Sequence, residues 1–429
     1  NMKTTPKPGD ATPPPLPAEP TQRFSQTIPL VHSRLRHRPS PQEKYSPVGK
    51  IGEGTYGLVY KAQPITSSAA HPAPYVAVKK FKSFKSGDGI SPTAVREIKL
   101  LRELHHENVV GLQDVMLDPA DKSLYLVFEY AEHDLLEMIR WHHTRHGPTI
   151  DPVTVKSVLW QTLHGIAYLH KNWVVHRDLK PSNILLTGVE KSGEQPGCVK
   201  IADFGLARIF QAPLKPLPDV DAVVVTIWYR APELLLGAKH YTPAIDLWAM
   251  GCIFAELITS KPLFQGQEKD RKGDVRNPFQ TDQVDKIFRI LGKPSPEIWP
   301  DIVHMPKWNE AQTWANYPNT LAQKVPDLKP GSAGLDLLTR LLEYDPVKRI
   351  TAEEALEHPY FKEEPLPKKC VFAKGIDPYK NRPVTPLDPK KDIGWATNNS
   401  GGNSQPGSVP TRVNSSDNVT IKKAKKIGK

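Results

Sequence analysis

The chain has 429 residues, with 38% apolar and 8% aromatic content, enough for a large core, and its length suggests two or three domains. The net charge of +11 resides in the ends, +4 in residues 1–44 and +9 in 365–429, which leaves −2 between them and excludes a basic nucleic-acid surface on the core. Three cysteines (Cys198, Cys252, Cys370) without CxxC spacing exclude a disulfide framework and a zinc site, and no apolar run reaches the roughly 18 residues that span a bilayer. With no signal peptide visible, the expectation is an intracellular, reducing compartment.

Residues 1–44 hold ten prolines among Ser, Thr and Ala and show no periodicity, so they read as a disordered N-terminal tail. From Tyr45 to Ala131 the pattern is mostly strand. YSPVGKIG, GLVYKAQ and YVAVKKF are β-formers clustered around glycines, with a Pro/Ser/Ala loop at 64–74, and VVGLQDVML and SLYLVFEY follow as two more strands. Between them, 91–104 is a helix candidate with Val95, Ile98, Leu101 and Leu104 as its apolar face. Beyond Ala131 helices dominate. Residues 151–170 place Val155, Val158, Leu159, Thr162, Ile166 and Leu169 on one face, and 244–258 is apolar nearly all round, the pattern of a buried helix. Residues 362–429 read as a second, basic disordered tail; its lysines at 422, 423, 425 and 426 suit a nuclear-import patch or a solvated tail.

Four strings carry the chemistry. Gly52, Gly54 and Gly57 let a backbone bend tightly and aim N–H groups at phosphates, and because a strand rather than a helix follows them, a dinucleotide fold is disfavoured. Lys79 closes a V-A-V-K strand, HRDLKPSN spans 176–183, and DFG at 203–205 runs on to APE at 231–233. In this order the set resembles the eukaryotic protein kinases over about Tyr45 to Phe361. The resemblance implies an α+β, bilobal kinase fold: a β-rich small lobe at 45–131 with one regulatory helix, and a helical large lobe at 132–361.

It also implies site roles. Asp178 is the catalytic base, Lys180 neutralises the γ-phosphate, and Asn183 and Asp203 hold Mg²⁺. ATP contacts fall on Ile51, Gly52, Glu53, Gly54, Thr55, Tyr56, Gly57 and Val59 of the glycine loop, and on Lys79 paired with Glu97. Ala77, Leu185 and Phe128 enclose the adenine, the backbone of Glu129 and Ala131 reads its edge, and Asp134 lies near the ribose. His142, His143 and His146 have spacing that can bind metal, but no further ligand pattern accompanies them.

Lys180, two residues after Asp178, is the Ser/Thr-kinase pattern, and VVTIWYRAPELLLG and SPTAVREI resemble the cyclin-dependent kinases. The nearest resemblance is to the cyclin-C-dependent kinase of the Mediator complex in its plant-type, E-class form, carried by KSGDGISPTAVREIKLLREL, YAEHDL and VKIADFGLARIFQAPLKPL, with Phe204 where the animal form has Met. It implies a nuclear protein with a cyclin C-like subunit, other Mediator kinase-module subunits, and Ser/Thr-Pro substrates such as the RNA polymerase II tail. A cell-cycle type cyclin-dependent kinase and a largely scaffolding Mediator subunit are the alternatives. Residues 210–225 contain no Ser, Thr or Tyr, so activating phosphorylation there is chemically impossible; Asp221, helped by Asp219, is expected to stand in for a phosphate before Arg96, Arg177 and Arg208.

Overall fold

The computed structural model describes residues 39–53, 57–65, 74–81, 92–118, 123–145, 150–188, 196–210, 226–266, 280–372, 377–380 and 382–388. Residues 1–39 and 40–429 separate into two units, and everything below concerns the second.

A short helix α1 (Pro41–Lys44) starts the unit, closed by a Ser40/Glu43 capping box. Strands β1 (Tyr45–Glu53), β2 (Gly57–Pro64) and β3 (Val76–Phe81) are followed by helix α2 (Pro92–Glu103), then β4 (Leu112–Asp118) and β5 (Ser123–Glu129). They form one antiparallel sheet in the order β1-β2-β3-β5-β4. Alternation decides what faces the cleft. Val76 and Val78 of β3 are buried on one face, whereas Ala77, Lys79 and Phe81 take the opposite one; Lys79 stands beside Val59 of β2 in the register.

Helix α2 turns Ala94, Glu97 and Leu101 inward, with Leu104 just past its end continuing the 3-4-3 spacing of one helical face. This corrects the expected face: Val95 lies outside it, 51% exposed, because strict three-residue spacing drifts around a 3.6-residue helix.

The large lobe holds short strand β6 (His133–Asp134), α3 (Leu135–Arg145), α4 (Pro152–Lys171), β7 (Val174–Val175), β8 (Ile184–Leu186), β9 (Val199–Ile201), β10 (Arg208–Ile209), α5 (Pro232–Leu235) and α6 (Ala244–Thr259). Helices α7 (Thr281–Leu291), α8 (Trp308–Ala311), α9 (Leu321–Lys324), α10 (Ala333–Leu341) and α11 (Ala352–Leu356) complete it. Asp151 caps α4 by accepting from the Val153 N–H, with Pro152 at the first helical position. Helix α6 is buried from Ile245 to Leu257, as a helix apolar nearly all round must be, with Asp246 and Glu256 buried in it. Strands β6-β8-β9 form a small sheet beside the 176–183 loop, and β10 pairs with β7.

The expected C-terminal tail departs from expectation between 362 and 388. Val371 and Phe372 are buried against the large lobe, the Thr154 hydroxyl donates to the Val371 carbonyl, and Thr385 exchanges two backbone hydrogen bonds with Lys50 of β1. Burying a large apolar side chain is worth roughly 1.5–3 kcal/mol, against roughly 1–2 kcal/mol to fix each residue's backbone. A proline-rich segment with less entropy to lose can therefore be held by a few such anchors. Residues 40–44, assigned to the other tail, are likewise structured, with the Lys44 ammonium 2.7 Å from Asp114.

Candidate active site

Between the lobes lies a cavity of about 390 Å³, a size suited to a small organic ligand. Its small-lobe wall is Ile51, Glu53, Gly57, Val59, Ala77 and Lys79; Phe128, Glu129 and Ala131 line the hinge side; Leu185, Asp178, Lys180, Asn183 and Asp203 form the floor. Gly52 and Asp134 are not on its surface, and Gly54, Thr55 and Tyr56 lie outside the described residues.

Lys79 reaches across the cleft. Its Nζ lies 2.9 and 3.0 Å from the two carboxylate oxygens of Glu97 and 3.2 Å from Asp203 Oδ1. Burial alone would lower the lysine's pKa; the charges and hydrogen bonds of Glu97 and Asp203 outweigh it and hold the ammonium well above its usual range. The same Lys79 charge holds the Asp203 carboxyl below the usual carboxylate range, against burial. Both groups are therefore ionised at neutral pH, a cation and an anion facing one cavity.

The floor is built by a strained loop. Arg177 has φ 72° and Asp203 φ 65°, left-handed conformations that cost non-glycine residues of order 1–3 kcal/mol. The compensation is local. Buried Asp246 of α6 accepts from the N–H of His176 and the N–H of Arg177, both at 2.9 Å, and pairs with His170 Nε2 at 2.9 Å. Burial would raise its pKa, but the His170 hydrogen bond and charge, His176 and the Arg177 N–H outweigh that and keep it charged. His176 Nε2 also bonds the Ala202 carbonyl at 3.0 Å, and its ring packs edge-on against buried Phe204. The loops of Asp178 and Asp203 are thus tied together.

On this loop the Lys180 ammonium donates to Asp178 Oδ2 at 2.8 Å, and the Asn183 amide donates to the Asp178 carbonyl at 2.8 Å and to Oδ2 at 3.1 Å. Burial pushes the Asp178 carboxyl up, opposed by Lys180, which brings it nearer the range of a proton acceptor. With the Asn183 nitrogen spent on Asp178, its amide oxygen is the atom left for a cation. Together with the second oxygen of Asp203 it makes a hard-oxygen pair suited to a divalent metal. Among the described residues no three His, Cys, Asp or Glu side chains converge, so Asn183 and Asp203 would hold a metal together with water or phosphate oxygens. The histidine reading is resolved differently: His142 Nε2 bonds the Tyr379 hydroxyl at 3.0 Å, and His146 lies outside the described residues.

The hinge offers backbone. The Glu129 carboxylate is engaged behind it, 3.0 Å from the Lys200 ammonium and 2.6 Å from the Gly111 N–H. Asp134, expected near the ribose, accepts the Glu137 N–H as a helix cap and pairs with Arg382 at 3.2 Å. Arg382 lines the cavity without having been expected from the sequence, as do Val110, Ser182, Ala202 and Leu206, while Tyr130 lines it within the expected hinge segment 128–131. Ser182 and Ala202 adjoin motif residues and were accessible to that reasoning; Arg382 had no local signal.

Comparison with known proteins is consistent with this geometry. A family profile described as "Protein kinase domain" matches residues 45–361. The chain is 54% identical over 365 residues to "Cyclin-dependent kinase E-1" of Arabidopsis thaliana, covering 84% of this chain and 75% of that one. It is 56% identical over 355 residues to "Probable cyclin-dependent kinase 8" of Dictyostelium discoideum (83% and 90% covered). With "Serine/threonine-protein kinase SSN3" of Aspergillus oryzae the identity is 46% over 374 residues (81% and 87% covered). The chain belongs to the protein kinase family and is a serine/threonine protein kinase of the cyclin-dependent group, an activity that uses ATP and a divalent metal.

Proposed function

We propose that this kinase phosphorylates Ser/Thr-Pro sites, such as those of the RNA polymerase II tail, as the catalytic subunit of a nuclear Mediator kinase module activated by a cyclin C-like partner. The observation that carries the catalytic part is the Asp178–Lys180–Asn183 cluster facing the Lys79–Asp203 pair across one cavity. The cyclin and Mediator parts rest on similarity to the relatives named above.

In this reading Ala77, Phe128 and Leu185 enclose the adenine, and backbone groups of Glu129 and Ala131 bond its edge. Lys79, fixed by Glu97, positions the α- and β-phosphates. Asn183 and Asp203 would hold Mg²⁺, which would supply charge neutralisation on the phosphates. Asp178 accepts a hydrogen bond from the incoming hydroxyl, orients it in line with the γ-phosphate and takes its proton as the new O–P bond forms and the bond from the γ-phosphorus to the β,γ-bridging oxygen breaks, with ADP as the leaving group. Lys180, already on Asp178, offsets the charge that gathers on the transferring group. The hydroxyl enters beside a small recess where Thr226 and Arg230 approach Asp178.

The cyclin acts on α2. Its outer face presents Val95, and its inner face carries the Glu97 that must stay on Lys79. Asp219 and Asp221 lie outside the described residues; we assign them the role of partial phosphate substitutes for Arg96, Arg177 and Arg208, with a partner subunit completing the ordering. The test is transfer of labelled phosphate from ATP to a Ser-Pro peptide and to its Ser-Ala counterpart, with and without a cyclin C-like protein. Strong partner dependence and preference for Ser-Pro are expected. Full activity of the free chain, or equal use of both peptides, would reject the reading.

A further inference from the structure

Lys61 is a buried cation beside the cavity but not on its surface. It follows Val59 by two residues on β2 and stands opposite Ala77 of β3, on the face of the sheet that looks into the cleft. It is 7% exposed. Its ammonium lies 4.0 Å from the centroid of the Tyr75 ring and 4.6 Å from that of Tyr130, and the two rings meet edge-on at 6.1 Å. A strongly hydrated ammonium leaves water only where other groups replace it, and here the negative faces of two aromatic rings do so. Glu132 stands close by. Burial pushes its carboxyl up, and the Gly188 N–H at 2.6 Å and the charges of His133 and Lys61 oppose the rise.

Tyr130 is the residue on which the reading of a base would turn. Strand β5 ends at Glu129, so the ladder of sheet hydrogen bonds stops just before Tyr130. The Glu129 carbonyl belongs to the planar peptide that precedes the Tyr130 Cα, and the Ala131 N–H to the planar peptide that follows it. Both groups therefore swing with the two backbone torsions of Tyr130. The flanking side chains are held mainly from the large lobe: Glu129 by the Lys200 ammonium of β9 and the Gly111 N–H, and Glu132 by the Gly188 N–H. Tyr130, 2% exposed, is gripped from the small lobe by Lys61.

We propose that Lys61 is a positioning residue for adenine recognition: by holding the Tyr130 ring it fixes the two peptide planes that present the Glu129 carbonyl and the Ala131 N–H to the base. This rests on the cavity being an ATP site read through the hinge backbone. Lys61 touches neither nucleotide nor reacting atoms, so its effect falls on base discrimination and on KM for ATP, and kcat is left nearly unchanged.

The test uses the full chain with its cyclin C-like partner and two nucleotides, ATP and purine riboside 5′-triphosphate, which lacks the 6-amino group that donates to the hinge. Binding is measured by calorimetry, kcat and KM by peptide phosphorylation, and melting temperature in parallel. The wild type is expected to bind ATP about three- to tenfold more tightly than the analogue, the range of one hydrogen bond. Lys61→Met keeps the stem and removes the charge; its preference should fall to within about twofold and its KM for ATP rise about three- to tenfold, with kcat within about twofold. Lys61→Arg, whose cation also stacks on rings, should restore both. Tyr130→Leu should behave as Lys61→Met does, and combining the two should add nothing further. Wild-type preference and KM in Lys61→Met, with or without a lower melting temperature, would overturn the proposal, as would Lys61→Arg no better than Lys61→Met. Should Lys61→Met not fold, Tyr130→Phe against Tyr130→Leu decides: loss of preference only when the ring is removed supports the grip, and wild-type preference in Tyr130→Leu overturns it. A wild-type complex that does not distinguish the two nucleotides would instead reject the hinge reading on which the proposal rests.

Discussion

Both carboxylate oxygens of Glu97 lie within 3.0 Å of the Lys79 ammonium, which puts a helix residue 18 positions away in control of a cation on the cavity's sheet wall. Glu97 is 1% exposed, so its charge is neither shared with solvent nor replaceable by it.

Glu97→Gln tests that control. The amide keeps the shape and one acceptor but loses the charge, leaving Lys79 to Asp203 alone. Peptide phosphorylation by the partner complex should lose roughly tenfold or more in kcat/KM for ATP, the cost of about one unpaired ionic hydrogen bond at a site that orients phosphate. Thermal stability should change little. Wild-type kinetics would show that the pair is incidental.

Glu256 predicts a pH dependence of stability. It is buried in α6, it accepts the Tyr229 hydroxyl at 2.7 Å, and burial raises its pKa to about 7. Its unfolded value is about 4.3, so below that pH both states are protonated and the stabilisation is fully present. As pH rises towards 7 the unfolded chain ionises first and folding loses on the order of 3 kcal/mol from this group. Glu256→Gln should flatten the stability profile between about pH 4.3 and 7 and raise the melting temperature at pH 7.5. Denaturant unfolding across that window checks it, and a profile as steep as wild type would assign the slope to other groups.

Arg349 and Glu233 make a fully buried ion pair whose disruption is costly. The guanidinium is wholly buried, bonds both Glu233 oxygens at 2.8 and 3.1 Å, and donates to the carbonyls of Glu343, Ala244 and Tyr344. Arg349→Ala strands a buried carboxylate and should cost about 3–5 kcal/mol, lowering the melting temperature by about 5–10 °C. Arg349→Ala with Glu233→Leu should recover part of that loss. A double variant no better than the single one would contradict the stranded-charge account.

How much of this was legible in the sequence depends on range. The small-lobe strands and the catalytic strings lie in contiguous residues whose alternation and spacing are local, and the cavity brings together Lys79, Asp178, Asn183 and Asp203. The inward face of α2 was shifted because Val95 and Ala94 are neighbours and apolarity alone does not choose between them. Asp246 carried only the signal of its place in the buried helix 244–258, with nothing to name its partners, and Arg349 carried none. Each is a polar residue whose burial is set by partners 69 to 116 positions away, and the sequence pattern of such a residue equals that of a surface charge. The same holds for residues 362–388. Their composition reads as tail, yet Asp377 finds His133 at a separation of 244 residues, on a surface that exists only after the large lobe has folded.

The central claim is that Asp178 is the base of phosphoryl transfer to a protein hydroxyl. The most direct measurement is single-turnover transfer of labelled γ-phosphate to a Ser-Pro peptide by the cyclin-bound kinase, wild type against Asp178→Asn, with ATP affinity measured in parallel. Retained ATP binding and a rate lower by on the order of 10²-fold or more are predicted, the scale of a lost positioned base. Transfer by Asp178→Asn at the wild-type rate would contradict the account.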